Sequence, residues 1–82
     1  MTIIGLLIKI ANNEELPQTI EYNGDIGILV TENGLINYIF EKDGNMYDLY
    51  WLIDHDLSYL NDEIKLRRVK WVKTKNVLYV KS

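Results

Sequence analysis

Apolar residues recur at helical intervals at the start of the chain and at every second position through most of the remainder. In Thr2 to Asn12 (TIIGLLIKIAN), Ile3, Leu6, Leu7 and Ile10 stand at i, i+3, i+4 and i+7, which gathers them on one face of a helix. Thr2 suits the N-cap because its hydroxyl can accept a backbone N–H, and Asn12-Asn13 suits the end. Gly5 and the β-branched isoleucines pull towards a strand. The spacing predicts a helix whose broad apolar stripe lies against a sheet.

The next stretch is punctuated by turns. Glu14 to Pro17 reads as a connector, since Pro17 lacks an N–H and biases Leu16 to an extended form. Thr19 to Tyr22 reads as a strand with Ile20 and Tyr22 on one side. Asn23-Gly24-Asp25 and Asn33-Gly34 supply residues that tolerate the positive φ of tight hairpin turns, and Asp43-Gly44-Asn45 is a third such turn. Between them lie Ile26 to Thr31 and Leu35 to Glu41, with Met46 to Leu52 as a further strand. Three turns about ten residues apart describe an antiparallel meander.

Ile53 to Asp62 breaks the alternation, and Asp54 or Asp56 can cap a short helical turn through Leu57 and Leu60. Glu63 to Val72 reads as a strand whose phase changes between Leu66 and Val69, which predicts a bulge or bend at Arg67-Arg68. Val77 to Val80 reads as the last strand of a terminal hairpin. The pattern therefore predicts an α+β fold: an N-terminal helix packed on a twisted antiparallel sheet of about five strands, as a single domain over residues 1–82. The expected core is Ile3, Leu6, Leu7, Ile10, Ile20, Ile28, Val30, Ile36, Tyr38, Phe40, Leu52, Leu60, Ile64, Leu66 and Val77, with Trp71 or Trp51 mainly buried and at least one tyrosine exposed.

Composition changes the picture in one respect. Residues 1–63 carry all 12 acidic side chains and only Lys9 and Lys42, a formal charge of −10. Residues 64–82 carry the other seven cations, a charge of +7. Such asymmetry either marks a charged partner or disappears by mutual neutralisation in the fold. The absence of cysteine removes disulfides and thiolate metal sites and fits a reducing cytoplasm. The longest apolar run, Ile3 to Ile8, is too short to span a bilayer, and its flanks do not read as a signal peptide.

Little catalytic chemistry is legible. His55 lies in Asp54-His55-Asp56, but no second histidine or cysteine exists to complete a zinc site, so a solvated turn is the expected setting. Asp43-Gly44-Asn45 lacks the spaced oxygens of a calcium loop. No phosphate-binding loop is present, and neither Ser58 nor Ser82 sits in a nucleophile-elbow context. No enzyme activity, cofactor or metal is expected. The tyrosines and tryptophans around residues 47–59 are the stronger candidates, because such rings combine large rigid area with a polar tip.

The segment LLIKIANNEELPQTIEYNGD resembles the opening of small accessory proteins of phages and prophages of Gram-positive bacteria, which have a helix ending KIA, an acidic turn, a proline and a strand. LNDEIKL (Leu60 to Leu66) is similar to a segment near the end of those proteins. Together these cover about a third of the chain. The resemblance implies mobile-element cargo expressed in a bacterial cytoplasm and carries over no catalytic residue. The basic stretch Arg67 to Lys81 extends beyond it.

Two binding modes suit these features. In the favoured one, an acidic surface comprising Glu14, Glu15, Glu21, Asp25, Glu32, Asp43 and Asp48 engages a basic groove on a bacterial host protein. Inhibition of a defence nuclease, as anti-CRISPR proteins achieve, is one concrete form. In the alternative, Lys65, Arg67, Arg68, Lys70, Trp71, Lys73 and Tyr79 form a nucleic-acid surface, with cations for phosphates and rings for bases. A homodimer joined through a terminal strand is a third arrangement.

Overall fold

The computed structural model describes residues 1–67 and 69–73. Helix α1 spans Ile3–Ala11, with the Thr2 hydroxyl accepting from the Gly5 N–H at 3.1 Å and Asn12 at the C-cap. Ile3, Leu6 and Ile10 of its apolar stripe are fully buried, whereas Leu7 is half-buried at the margin. The helix start is tied to residues 62–64: the Ile3 N–H donates to the Asp62 carbonyl at 3.0 Å, and the Ile64 N–H to the Met1 carbonyl at 2.7 Å.

The three turns build a meander of β2 (Thr19–Tyr22), β3 (Asp25–Glu32), β4 (Leu35–Lys42) and β5 (Asn45–Asp48). Each turn places two residues at positive φ: Asn23 and Gly24, Asn33 and Gly34, Asp43 and Gly44. That geometry matches the twist of the flanking strands and sets the register. Tyr22 pairs with Asp25, Glu32 with Leu35, and Lys42 with Asn45. A two-residue strand, β6 (Lys65–Leu66), adds to the other edge, so the five-stranded order is β5-β4-β3-β2-β6. The α+β architecture, with the N-terminal helix packed on a five-stranded antiparallel sheet, matches the sequence expectation.

This register corrects the expected core. Ile36, Tyr38 and Phe40 face α1, and the residues opposite them are Thr31, Leu29 and Gly27. Leu29 is therefore buried, Ile28 is 44% exposed and Val30 half-buried. Gly27 occupies the inward position because the Phe40 ring fills the space a side chain would need: a Cβ there would lie 2.8 Å from Phe40 Cζ.

The stretch predicted as a strand from Met46 to Leu52 stops at Asp48 and becomes helix α2 (Leu49–His55). Asp48 is the cause. Its Oδ1 accepts from the Trp51 N–H at 2.7 Å, and its Oδ2 from Asn37 Nδ2 at 3.2 Å, so it caps the helix and fixes it to β4. Leu49 and Leu52 then turn into the core, and the Tyr50 hydroxyl donates to the Ile36 carbonyl at 2.8 Å. Asp56 caps the short 3₁₀ turn Leu57–Asn61, accepting from the Ser58 N–H at 2.9 Å. That bond holds the Asp56 carboxyl below the usual carboxylate range.

The predicted strand from Glu63 to Val72 is two separate pieces. After β6 the chain leaves the main sheet, and β7 (Trp71–Val72) pairs instead with β1 (Leu16–Pro17). The expected connector at Glu14 to Pro17 thus ends in a strand, and Leu16 is fully buried. Leu66 is 37% exposed because its strand is a sheet edge, and Leu60 is half-buried. Core positions absent from the expected set are Leu16, Tyr22, Leu29 and Leu49. The expected core residue Val77 and the terminal hairpin lie outside the described residues.

Tyr38 anchors the centre. It is fully buried, and its hydroxyl donates to the Pro17 carbonyl at 2.6 Å, fastening β1 to the sheet. Burial pushes its phenol well above the ordinary value. Tyr22 and Tyr47 are raised too, first by burial and then by hydrogen bonds to Asp62 and Asp25. A group whose pKa is higher in the folded state stabilises the fold below its unfolded value and loses that contribution as pH rises. Stability should therefore hold to about pH 10, the unfolded tyrosine value, and fall above it. In an alkaline titration, the phenolate absorbance of these three residues should appear together with the loss of circular dichroism. Phenolate appearing well before any loss of structure would contradict their buried placement.

Candidate functional site

Tyr22, Phe40, Tyr47, Trp51, His55 and Tyr59 form a ladder of rings running from the core to the surface. Phe40 is fully buried, stacked on Tyr47 at 5.1 Å between centroids and edge-on to Tyr22 at 6.1 Å. Tyr47 leads to Trp51 at 5.9 Å, Trp51 stacks on His55 at 5.0 Å, and His55 lies 6.3 Å from Tyr59. These separations fall in the range where aromatic pairs attract beyond simple burial.

Three local devices produce the ladder. The Asp43-Gly44 turn pairs Tyr47 with Phe40. The Asp48 cap starts α2 so that Trp51 and His55, four apart, share one helical face. The Asp56-capped turn then returns Tyr59 to the same side. His55 is exposed and stacked between two rings, in place of the bare turn expected for it. Among the described residues no three or more histidine and carboxylate groups converge to hold a metal ion.

Tyr22, Tyr47, Trp51 and Tyr59 of the ladder form one wall of a groove of about 620 Å³ lined also by Asn23, Asp25, Lys42, Leu52, Asp62 and Glu63. Its carboxylates are positioned by phenols: the Tyr47 hydroxyl donates to Asp25 at 2.5 Å, and the Tyr22 hydroxyl to Asp62 at 2.6 Å. Both phenols stay neutral over the physiological range, so each remains a donor to its carboxylate. Glu63 receives the N-terminal ammonium of Met1 at 3.1 Å. The groove therefore joins an exposed indole and half-buried phenols to a surplus of carboxylates, with Lys42 the one cationic side chain of its lining among the described residues. Such a surface attracts a cation by ring quadrupole and by charge together.

Of the acidic residues singled out from sequence, only Asp25 lines this groove. Asp48 lies beside it as a helix cap. Asp43 occupies the β4–β5 turn, and Glu32 the far end of β3. Glu14 pairs with Lys9 at 3.2 Å, and Glu15 is exposed beside it. Glu21, on the opposite face of the sheet, pairs with Arg67 at 3.1 Å. The acidic residues do not form one continuous face. Sequence reasoning missed Tyr22, Asp62 and Glu63: Tyr22 reads as a strand residue outside the expected core, Asp62 as the end of the irregular segment and Glu63 as the start of a strand, and only their contact across the chain unites them.

The basic residues are also divided. Lys65 stands opposite Glu21 in the β2–β6 pairing, and Arg67 bonds the same carboxylate. The Lys70 carbonyl accepts from the Gln18 N–H at 2.8 Å. Lys9 lies 5.3 Å from the centre of the Trp71 ring, in a shallow depression shared by Glu14, Glu15 and Lys73. Local neutralisation thus takes up part of the charge asymmetry. Neither tryptophan is mainly buried as expected: Trp51 is 52% and Trp71 40% exposed, because Phe40, Tyr38 and the aliphatic residues already fill the core. Tyr47, Tyr50 and Tyr59 are half-buried rather than exposed. Arg68 and Tyr79 lie outside the described residues.

Among the described residues no helix is long and apolar enough to cross a membrane. Comparison with family models, with curated proteins and with solved structures finds no match to this chain.

Proposed function

We propose that this chain is a non-enzymatic binding protein whose aromatic groove takes a basic segment of a bacterial protein. The observation that carries the reading is the half-exposed Trp51 ring in one groove with Asp25, Asp62 and Glu63. Tryptophan is the ring that binds cations best, and carboxylates beside it add charge attraction and steer a basic partner into place. The groove recasts the acidic-surface expectation as a compact site in place of a broad face. The resemblance to phage accessory proteins supplies the setting, a bacterial cytoplasm, and inhibition of a defence nuclease through its nucleic-acid groove is the concrete version we favour.

The nucleic-acid alternative draws less support. Arg67 is held by Glu21, and Lys9 covers one face of Trp71, so a cation and a ring that would serve it are already engaged.

Affinity capture from a bacterial lysate tests the reading. The wild-type chain should retain a protein that salt elutes, and Trp51→Ala should lose at least about 2 kcal/mol of binding while its circular dichroism is unchanged. Capture of nothing, with no effect on defence-nuclease activity, would contradict the proposal. Salt-sensitive binding of oligonucleotides that Arg67→Ala with Arg68→Ala abolishes would replace it with the alternative.

A further inference from the structure

β5 forms one edge of the five-stranded sheet. Natural sheet edges are shielded by lysine, by proline or by being very short. The opposite edge, β6, is two residues long, contains Lys65 and is followed by Arg67. β5 reads Asn45-Met46-Tyr47-Asp48, with neither lysine nor proline. Asn45 and Met46 are exposed, Met46 at 69%.

Hairpin geometry fixes which backbone groups face outward. The two-residue Asp43-Gly44 turn makes Lys42 and Asn45 the hydrogen-bonded pair that closes it, and bonded and non-bonded pairs then alternate along the strands. Asn45 and Tyr47 therefore turn their N–H and C=O groups to β4. Met46 turns both of its groups to the open edge, and Asp48 its N–H. A second depression, of about 520 Å³, runs along this edge. All four β5 residues and Trp51 line it, and Asp43 and Asp48 outnumber Lys42 among its charged residues. It shares Lys42, Tyr47 and Trp51 with the groove, so the two adjoin at the indole.

We infer that the basic segment proposed for the groove is held in extended form, as a sixth strand paired with β5. The inference rests on the groove reading and adds the conformation of the ligand. Strand addition draws affinity from the main chain and selectivity from alternate side chains. Because β5 offers only the groups of Met46 and Asp48, few main-chain bonds form, and contact with Trp51 supplies the rest. Successive side chains of a strand point to opposite faces of the sheet, so the cations belong at every second position, on the side where Tyr47 and the groove lie. Charge selects this occupant. A second copy joined edge to edge and antiparallel would set Asp48 of one β5 beside the Asp43 turn of the other, acid against acid. The β6 edge presents Lys65 and Arg67, of the same sign as the segment.

Titration of the isotopically labelled chain with a peptide alternating arginine and valine, read by amide hydrogen exchange, tests the inference. The peptide should shift the Trp51 indole signal and, at saturation, slow exchange of the Met46 and Asp48 amides by roughly tenfold. Met46→Pro removes the outward N–H and no bond to β4, a substitution that the open side of an edge strand accepts. It should keep the wild-type circular dichroism and bind the peptide roughly tenfold more weakly. Met46→Ala, which keeps the N–H, should bind nearly as the wild type does. A peptide that shifts Trp51 and leaves both amides unprotected overturns the inference while the groove reading stands. A loss in Met46→Ala equal to that in Met46→Pro overturns it too, since the side chain and not the backbone would then be the contact. An unmoved Trp51 signal removes the groove reading and this inference with it. Should Met46→Pro unfold, the exchange rates of the wild type decide alone.

Discussion

Phe40→Ala should remove about 3–5 kcal/mol of folding stability, the usual cost of deleting a buried aromatic side chain. A domain of this length has a total stability near the low end of about 5–15 kcal/mol, so the variant should be largely unfolded under mild conditions. The size of the effect follows from position. Phe40 is fully buried, stacks on Tyr47, meets Tyr22 edge-on and fills the space above Gly27. The cavity has few ways to close, because both neighbouring tyrosines are held by carboxylates through their hydroxyls. Urea denaturation measures the loss. Phe40→Leu, which keeps most of the volume, should cost clearly less. A loss below about 1 kcal/mol for Phe40→Ala would mean that the ring does not pack as described.

Gly27→Ala should destabilise the fold by about 1–3 kcal/mol, the cost of forcing an extra carbon into a filled core. Strand propensity alone predicts the opposite sign, since glycine weakens a strand interior. The decisive contact is steric: the added Cβ would lie 2.8 and 2.9 Å from Phe40 Cζ and Cδ2, closer than carbon atoms pack. The ring cannot move aside while Tyr22 and Tyr47 hold it. If this is the cause, the two sites are coupled, and Gly27→Ala should cost much less in a Phe40→Leu background than in the wild type. Thermal melts of the four variants give the coupling energy. A neutral or stabilising Gly27→Ala would show that the ring and the strand are farther apart than described.

The same pair explains how much of the fold was legible in the sequence. The helix, the three turns and the meander follow from local signals: apolar spacing in Ile3–Ala11, and Asn-Gly or Asp-Gly pairs that accept positive φ. The facing of β3 was misread because Ile26, Ile28 and Val30 are more apolar as a set than Gly27, Leu29 and Thr31. The information was nevertheless present. A two-residue turn at Asn33-Gly34 pairs Glu32 with Leu35, so an inward Ile36, Tyr38 and Phe40 require inward Thr31, Leu29 and Gly27. Register outranks hydrophobicity there, since one slipped residue reverses every side chain.

Other features were not legible. The end of β5 turns on one Asp48 carboxylate that accepts from both Trp51 and Asn37, and residues 49–53 by themselves suit a strand equally well. The partner of β7 is Leu16–Pro17, more than 50 positions away, a pairing no local pattern encodes. The groove was half visible. Its aromatic wall at Tyr47, Trp51 and Tyr59 stands out from sequence, whereas its carboxylates Asp62 and Glu63 join Asp25 only through the Tyr22 hydroxyl and the tie between Met1 and Ile64. Net charge was the least reliable guide, because pairs such as Arg67 with Glu21 cancel where the chain folds back on itself.

A nuclear magnetic resonance titration of the isotopically labelled chain with a short arginine-rich peptide bears most directly on whether the groove receives a cation. The Trp51 indole signal and the amides around Tyr22, Asp25 and Asp62 should shift together, saturably, with an affinity that falls as salt is added and is lost in Trp51→Ala. An unmoved Trp51 signal, with no shifts at all or with shifts only elsewhere on the surface, would contradict the assignment.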